Sequence, residues 1–190
     1  DSFPDLNLYD VNINFKQLSF LKDTKNIEFL NSTSTKLPFM DNSVDRVLAL
    51  ESAQHFKPLE DFISESKRVL MKSGFLIMAV PITLKNSSLS KLGLLKFTWS
   101  SEHYSLDYLK NLISSNGFKI IDEILIGTNV YDPLADYYVE NRKLLSGKIL
   151  QHYPGYMEKI LYNSLLKMKK ASQEKIIDYV LLKCTLNDES

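Results

Sequence analysis

One stretch, Lys36 to Pro81, constrains the fold more than any other, because a turn, an apolar strand, an amphipathic helix and a second apolar strand follow with almost nothing between them. Leu37-Pro38-Phe39-Met40-Asp41-Asn42-Ser43 is turn chemistry: Asp and Asn satisfy their own backbone locally, and Pro38 pulls the residue before it out of the helical region. Val44 opens a strand, and Val47-Leu48-Ala49-Leu50 is apolar without alternation, the pattern of a parallel strand covered by helices on both faces. Leu59, Phe62, Ile63, Ser66, Val69 and Leu70 recur at helical spacing and form one mostly apolar stripe. Pro58 suits the first helical position, and Glu60 and Asp61 place negative charge where the helix dipole favours it. Lys72-Ser73-Gly74 is expected to end that helix before Phe75 to Val80 makes the second strand. The product is a βαβ unit with a right-handed crossover, and hence an α/β fold.

The rest of the chain extends this layout. Leu6 to Ile13 reads as a short strand, Asn14 as the cap of a helix carrying Phe15, Leu18 and Leu21, and Ile27 to Asn31 as another strand. Ser32-Thr33-Ser34-Thr35 follows at the carboxyl end of that strand, where ligands of an open α/β sheet sit. Beyond Pro81 a connection to Lys96 leads to an aromatic and polar cluster around Trp99, His103 and Tyr104. Ser105 then caps a helix stopped by Asn116-Gly117. A fifth strand over Phe118 to Ile126, helices around Leu134 to Leu144 and Tyr156 to Lys170, and a sixth strand over Lys175 to Cys184 complete the expectation.

The 190 residues suffice for one domain with a sizeable core. Basic and acidic residues balance at 23 each, so the total charge recommends neither nucleic acid nor an anionic membrane as partner, while leaving local patches open. A single cysteine, Cys184, excludes an internal disulfide and suits a reducing, cytoplasmic setting. No apolar run approaches the ~20 residues needed to span a bilayer.

Three pieces in order carry a family resemblance: Leu37-Pro38-Phe39 through Asp41-Asn42-Ser43-Val44-Asp45; Glu51-Ser52-Ala53-Gln54-His55-Phe56; and Glu65-Ser66-Lys67-Arg68-Val69-Leu70-Met71-Lys72-Ser73-Gly74. Together they resemble the central block of class I S-adenosylmethionine-dependent methyltransferases. The resemblance implies a Rossmann-like, mostly parallel sheet with helices on both faces, S-adenosylmethionine as cofactor, and a helical cover from about residue 82 to 172. In that family cofactor binding begins with a Gly-x-Gly loop after the first strand, and this chain has no Gly-x-Gly. Leu6 to Asn14 resembles the family's second strand. The expectation is therefore one methyltransferase-like domain over residues 1–190, incomplete at its N-terminal side, with a gap in the middle of its sheet.

The resemblance places Asn12 where an acidic residue holds the cofactor ribose, Thr33 and Ser34 where an Asp-Ala pair meets the adenine, and Glu51 at the cofactor edge. The alternative for Asn12 is a local Asx turn. Gln54 and His55 fall at the acceptor side, where an imidazole has the chemistry to take a proton from an acceptor hydroxyl; the competing reading of His55 is a cap or packing residue beside the helix that starts at Pro58. Trp99, His103 and Tyr104 are candidate walls of the acceptor pocket, against a reading as packed loop aromatics, and His152 reads as a surface-loop residue. The activity implied is methyl transfer to a small, partly apolar acceptor, with no nucleic acid, no metal and no membrane span. The alternative is an inactive methyltransferase-like subunit that binds a protein partner.

Overall fold

The structure, a computed structural model, describes residues 6–20, 26–84, 95 and 102–187. Six strands form two sheets. Strands β1 (Leu8–Asn12) and β2 (Ile27–Asn31) pair in parallel, separated in the chain by a single helical turn, α1 (Phe15–Leu18), which Asn14 caps by accepting from the Gln17 N–H. The larger sheet has the order β3-β4-β6-β5, built from β3 (Val44–Leu50), β4 (Leu70–Thr83), β5 (Phe118–Leu125) and β6 (Ile177–Leu186). β3 and β4 are parallel, and β6 runs antiparallel to both β4 and β5, so β3, β4 and β5 share one direction and their carboxyl ends share one edge.

The βαβ unit forms as the sequence predicts, with two local differences. Helix α2 (Leu59–Val69) has Pro58 at its N-cap, outside the first helical position, and it ends before Leu70, where β4 begins. Lys72-Ser73-Gly74 thus lies inside a strand. Register supplies the reason: Val44 pairs with Leu70 but Arg46 with Phe75, so the extra residues of β4 bulge between those rungs. A Cβ at Gly74 would lie 2.9 Å from the Met71 carbonyl oxygen and 3.1 Å from that of Asp45, which is why glycine sits at the bulge.

The main core lies between α2, the sheet and α3 (Leu106–Ser115): Phe62, Ile63, Leu76, Met78, Val80, Leu109, Ile113, Phe118 and Leu182 are buried together there. Ser105 caps α3 by accepting from the Tyr108 N–H, and Gly117 follows it at φ +84°, as the stop signal predicts. The cover beyond β5 differs from the sequence expectation. It consists of α4 (Gly127–Glu140), α5 (Arg142–Leu150) and α6 (Gly155–Gln173): two helices stand where one is expected over Leu134 to Leu144, and α6 answers to the helix expected over Tyr156 to Lys170. Pro133 lies inside α4. The helix begins directly off β5 because the Asp178 carboxylate, from the start of β6, accepts from the Gly127 N–H at 2.7 Å and thereby supplies a cap.

Among the described residues β1 and β3 each keep one unpaired edge, and no ladder joins the two sheets. The expectation that both faces of β3 are covered does not hold: Ala49 is buried, while Leu48 and Leu50 are each 57% exposed. Leu8 and Tyr9 of β1 are 43% and 44% exposed. The Tyr9 ring meets Phe39 edge-on at 5.2 Å, tying β1 to the turn that precedes β3. Among the described residues no helix is long and apolar enough to cross a membrane, and no cluster of three or more metal-binding side chains occurs.

Candidate functional site

The turn chemistry at Leu37–Ser43 and the Glu-x-x-Arg pattern of α2 prove to be one clamp. The Arg68 guanidinium donates to the carbonyl oxygens of Leu37 and Phe39, to Asp41 and to both oxygens of Glu65. Glu65 in turn accepts from the Leu37 N–H at 2.8 Å. Bonding to Arg68 holds the Glu65 carboxyl below its usual range, with the Leu37 N–H adding to the effect against the opposing cost of burial. These residues fix where the chain enters β3, and so where β3 delivers Glu51.

Glu51 leaves β3 with φ +53°, a left-handed conformation that is costly for a residue with a Cβ. Three contacts hold it. Its N–H donates to the Ala79 carbonyl at 3.2 Å; its carboxylate accepts from the Gln54 amide at 3.2 Å; and the buried Tyr179 phenol lies beside it, itself donating to the Ala79 carbonyl at 3.0 Å. Burial, and after it the Glu51 carboxylate, push the Tyr179 phenol well above its ordinary range, so it stays protonated. Sequence reasoning assigned Tyr179 to strand β6 and not to a site. The missing signal is three-dimensional: β6 pairs beside β4, with Pro81 opposite Tyr179, and the phenol reaches back to Ala79.

After Glu51 the chain makes one 3-10 turn, Ala53–His55. Ala53 and Gln54 are buried and Phe56 packs on Phe62 with ring centroids 4.7 Å apart, which leaves His55 on the exposed side. The segment at 102–105 docks beside this turn. Lys57 pairs with Glu102, the Thr83 N–H donates to the Tyr104 carbonyl at 2.9 Å, and Thr83 bridges Ser105. The fold therefore brings Glu51, Gln54 and His55 to the same sheet edge as His103 and Tyr104. Tyr104 is chiefly a packing residue, stacked on Tyr108 at 5.6 Å and half-buried against the core. Trp99 lies outside the described residues.

The cofactor candidates lie at the carboxyl ends of β1 and β2. The Asn12 side chain accepts from the Asn14 N–H at 2.8 Å, the Asx turn, and donates to Gln17 at 3.2 Å. A carboxamide has four hydrogen-bonding positions, so one lone pair and one N–H remain for a ribose. The Thr33 hydroxyl accepts from the Thr35 N–H and shares a hydrogen bond with the Thr35 hydroxyl; where Thr33 is the donor of that bond, one lone pair is left to accept from an exocyclic amine. Ser34 is half-buried beside it. This donor set fits an adenosyl group in kind, with a carboxamide and a hydroxyl where carboxylates would bind more strongly.

A family model described as a methyltransferase domain matches residues 2–78. The chain is 30% identical over 134 residues to erythromycin 3''-O-methyltransferase of Saccharopolyspora erythraea, covering 62% of this chain and 42% of that protein. It is 31% identical over 101 residues to demethylmenaquinone methyltransferase of Chlorobaculum tepidum, covering 48% of this chain and 42% of that protein. The chain thus spans less than half the length of these curated relatives. Among solved structures, a phosphoethanolamine N-methyltransferase of Haemonchus contortus in complex with phosphomonomethylethanolamine and S-adenosylhomocysteine superposes with a TM-score of 0.72 at 12% identity, covering 96% of this chain and 44% of that one. That likeness shows a shared fold. In the order of its motifs, the family match over residues 2–78 and its fold, the chain is similar to class I S-adenosylmethionine-dependent methyltransferases.

Proposed function

We propose that the protein transfers a methyl group from S-adenosylmethionine to a small-molecule acceptor at the carboxyl edge of its sheet. The observation that carries this reading is the convergence of the 51–57 and 102–105 segments at that edge, through the Lys57–Glu102 pair and the Thr83–Tyr104 bond. Asn12 would hold the ribose, Thr33 and Ser34 the adenine, and Glu51 the cofactor side facing β3. Bound S-adenosylmethionine supplies an already activated methyl group, so the chain's own residues have mainly to position the acceptor and remove its proton. His55, exposed and anchored by the buried Ala53 and Gln54, is the candidate base for a hydroxyl acceptor, and Gln54, His103 and Tyr104 would line the acceptor side. The curated relatives are methyltransferases named for erythromycin and demethylmenaquinone, which supports a small-molecule acceptor.

The test is a methyl-transfer assay on the full-length polypeptide with isotopically labelled S-adenosylmethionine and a panel of hydroxylated macrolides, phenols and quinols. Transfer to one of these classes is expected. Calorimetry that finds no binding of S-adenosylmethionine to the full-length polypeptide would instead favour an inactive subunit, a reading that the local engagement of Asn12 and Thr33 also serves.

A further inference from the structure

The balanced charge of the whole chain conceals a segregated one. Between Arg142 and Lys170 lie seven basic residues and one acidic residue, Glu158, so the remainder of the chain is acidic by the same margin. Glu158 does not offset the surface charge, because it is buried and spent on Arg142, whose Nε and Nη2 donate to it at 2.8 and 3.1 Å. Lys169 is paired with Asp136 and Lys170 with Glu174. Lys143, Lys148 and Lys167 are exposed and enter no ion pair among the described residues, and Lys159 is exposed alongside them.

The same surface is apolar where a solvated helix face would be polar. Helix α5 has no buried residue; Leu145 and Ile149 rest partly buried against Tyr138 and Leu165, while Leu144 is 61% exposed, Leu150 53%, Tyr153 59% and Tyr156 62%. Every residue from Leu150 to Met157 is exposed. Along α6, Tyr156, Lys159, Asn163, Leu166, Lys167 and Lys170 recur at spacings of three and four on the outward side. Lysines flanking a projecting tyrosine- and leucine-bearing tip are the composition of a surface that enters the headgroup layer of an anionic bilayer, with the ammonium groups on phosphates and the rings at the interface. An acidic protein would satisfy the lysines but not the outward leucines and tyrosines.

We propose that α5, the connection at residues 151–154 and the outward stripe of α6 dock the protein onto an anionic phospholipid surface, lying on it without spanning it. The cover springs from the carboxyl end of β5 and returns at the start of β6, so the docking surface is attached at the same edge of the sheet as the proposed acceptor site. Docking is read without turnover and goes beyond methyl transfer.

The test is co-sedimentation of the full-length polypeptide with vesicles of phosphatidylcholine alone or with about one-third phosphatidylglycerol, a composition that gives the negative surface potential of anionic leaflets. Binding to the anionic vesicles only is expected, falling as salt rises. Replacing Lys143, Lys148 and Lys159 together by Gln should weaken it about a hundredfold, at about fivefold per lysine, and the triple Glu variant should weaken it further. Tyr153→Ser with Tyr156→Ser should weaken it at low and high salt alike. Failure of the wild type to sediment with anionic vesicles, or equal sedimentation of wild type and the folded charge variants, overturns the proposal. So does binding in which these variants abolish only self-association or capture of an acidic protein.

Discussion

Glu51 shows how one residue is held in place at a cost. A left-handed conformation costs a non-glycine residue on the order of 1–2 kcal/mol, and here the Ala79 carbonyl, the Gln54 amide and the Tyr179 phenol together maintain it. If Tyr179 acts through Glu51, Tyr179→Phe should lower kcat/KM by about tenfold, and the double variant with Glu51→Gln should be no worse than Glu51→Gln alone, as coupled neighbours behave. Additive losses in that cycle would make the phenol's role separate. For His55, changing the imidazole to Ala should lower the methyl-transfer rate constant by ~10²–10⁴-fold with cofactor affinity nearly unchanged, and should remove the acidic limb of the pH profile. An intact rate at saturating cofactor and acceptor would take His55 off the catalytic list. His55 was legible in the sequence because its segment follows an apolar strand end, whereas Tyr179 was not, because its partner lies exactly one hundred residues upstream, at Ala79.

At the scale of elements, the Arg68 clamp decides whether β3 enters in register. Arg68→Met strips donors from the Leu37 and Phe39 carbonyls and leaves Glu65 without its cation, so a fall in melting temperature of about 5 °C or more is expected, measured on the full-length polypeptide. Glu65 gives that stability a pH dependence. Its folded pKa lies below the unfolded one, so the contribution is complete above the unfolded value and is lost as pH falls through the folded one. The Arg68→Met protein should therefore lose less stability on acidification than the wild type does. The βαβ unit around this clamp was readable because its periods are local and its turn residues adjacent. Helix α4 was not: Pro133 lies within it, and its cap is the Asp178 carboxylate, 51 residues further along the chain. The bulge of β4 was misread for a similar reason, since Lys72-Ser73-Gly74 carries the composition of a helix stop and only pairing with β3 reveals a strand.

Across the whole molecule, the unpaired edges of β1 and β3 and the exposed Leu48 and Leu50 mark where the sheet is interrupted. Residues 1–190 alone are expected to bind S-adenosylmethionine more weakly than micromolar and to bind a hydrophobic dye. A compact, cooperatively melting monomer with micromolar affinity would mean that another element fills the central position.

The place of β6 imposes an order in time. Strand β6 lies between β4 and β5 although it follows both in the chain, and its first residues hold Tyr179 against Ala79 and Asp178 against Gly127. Until Ile177–Leu186 has left the ribosome, β4 and β5 have no common partner, α4 has no cap, and Glu51 lacks its phenol. Growing chains must therefore wait with two apolar edges open, and a polypeptide interrupted just before Ile177 would contain every helix named above yet could not close this sheet or set its site.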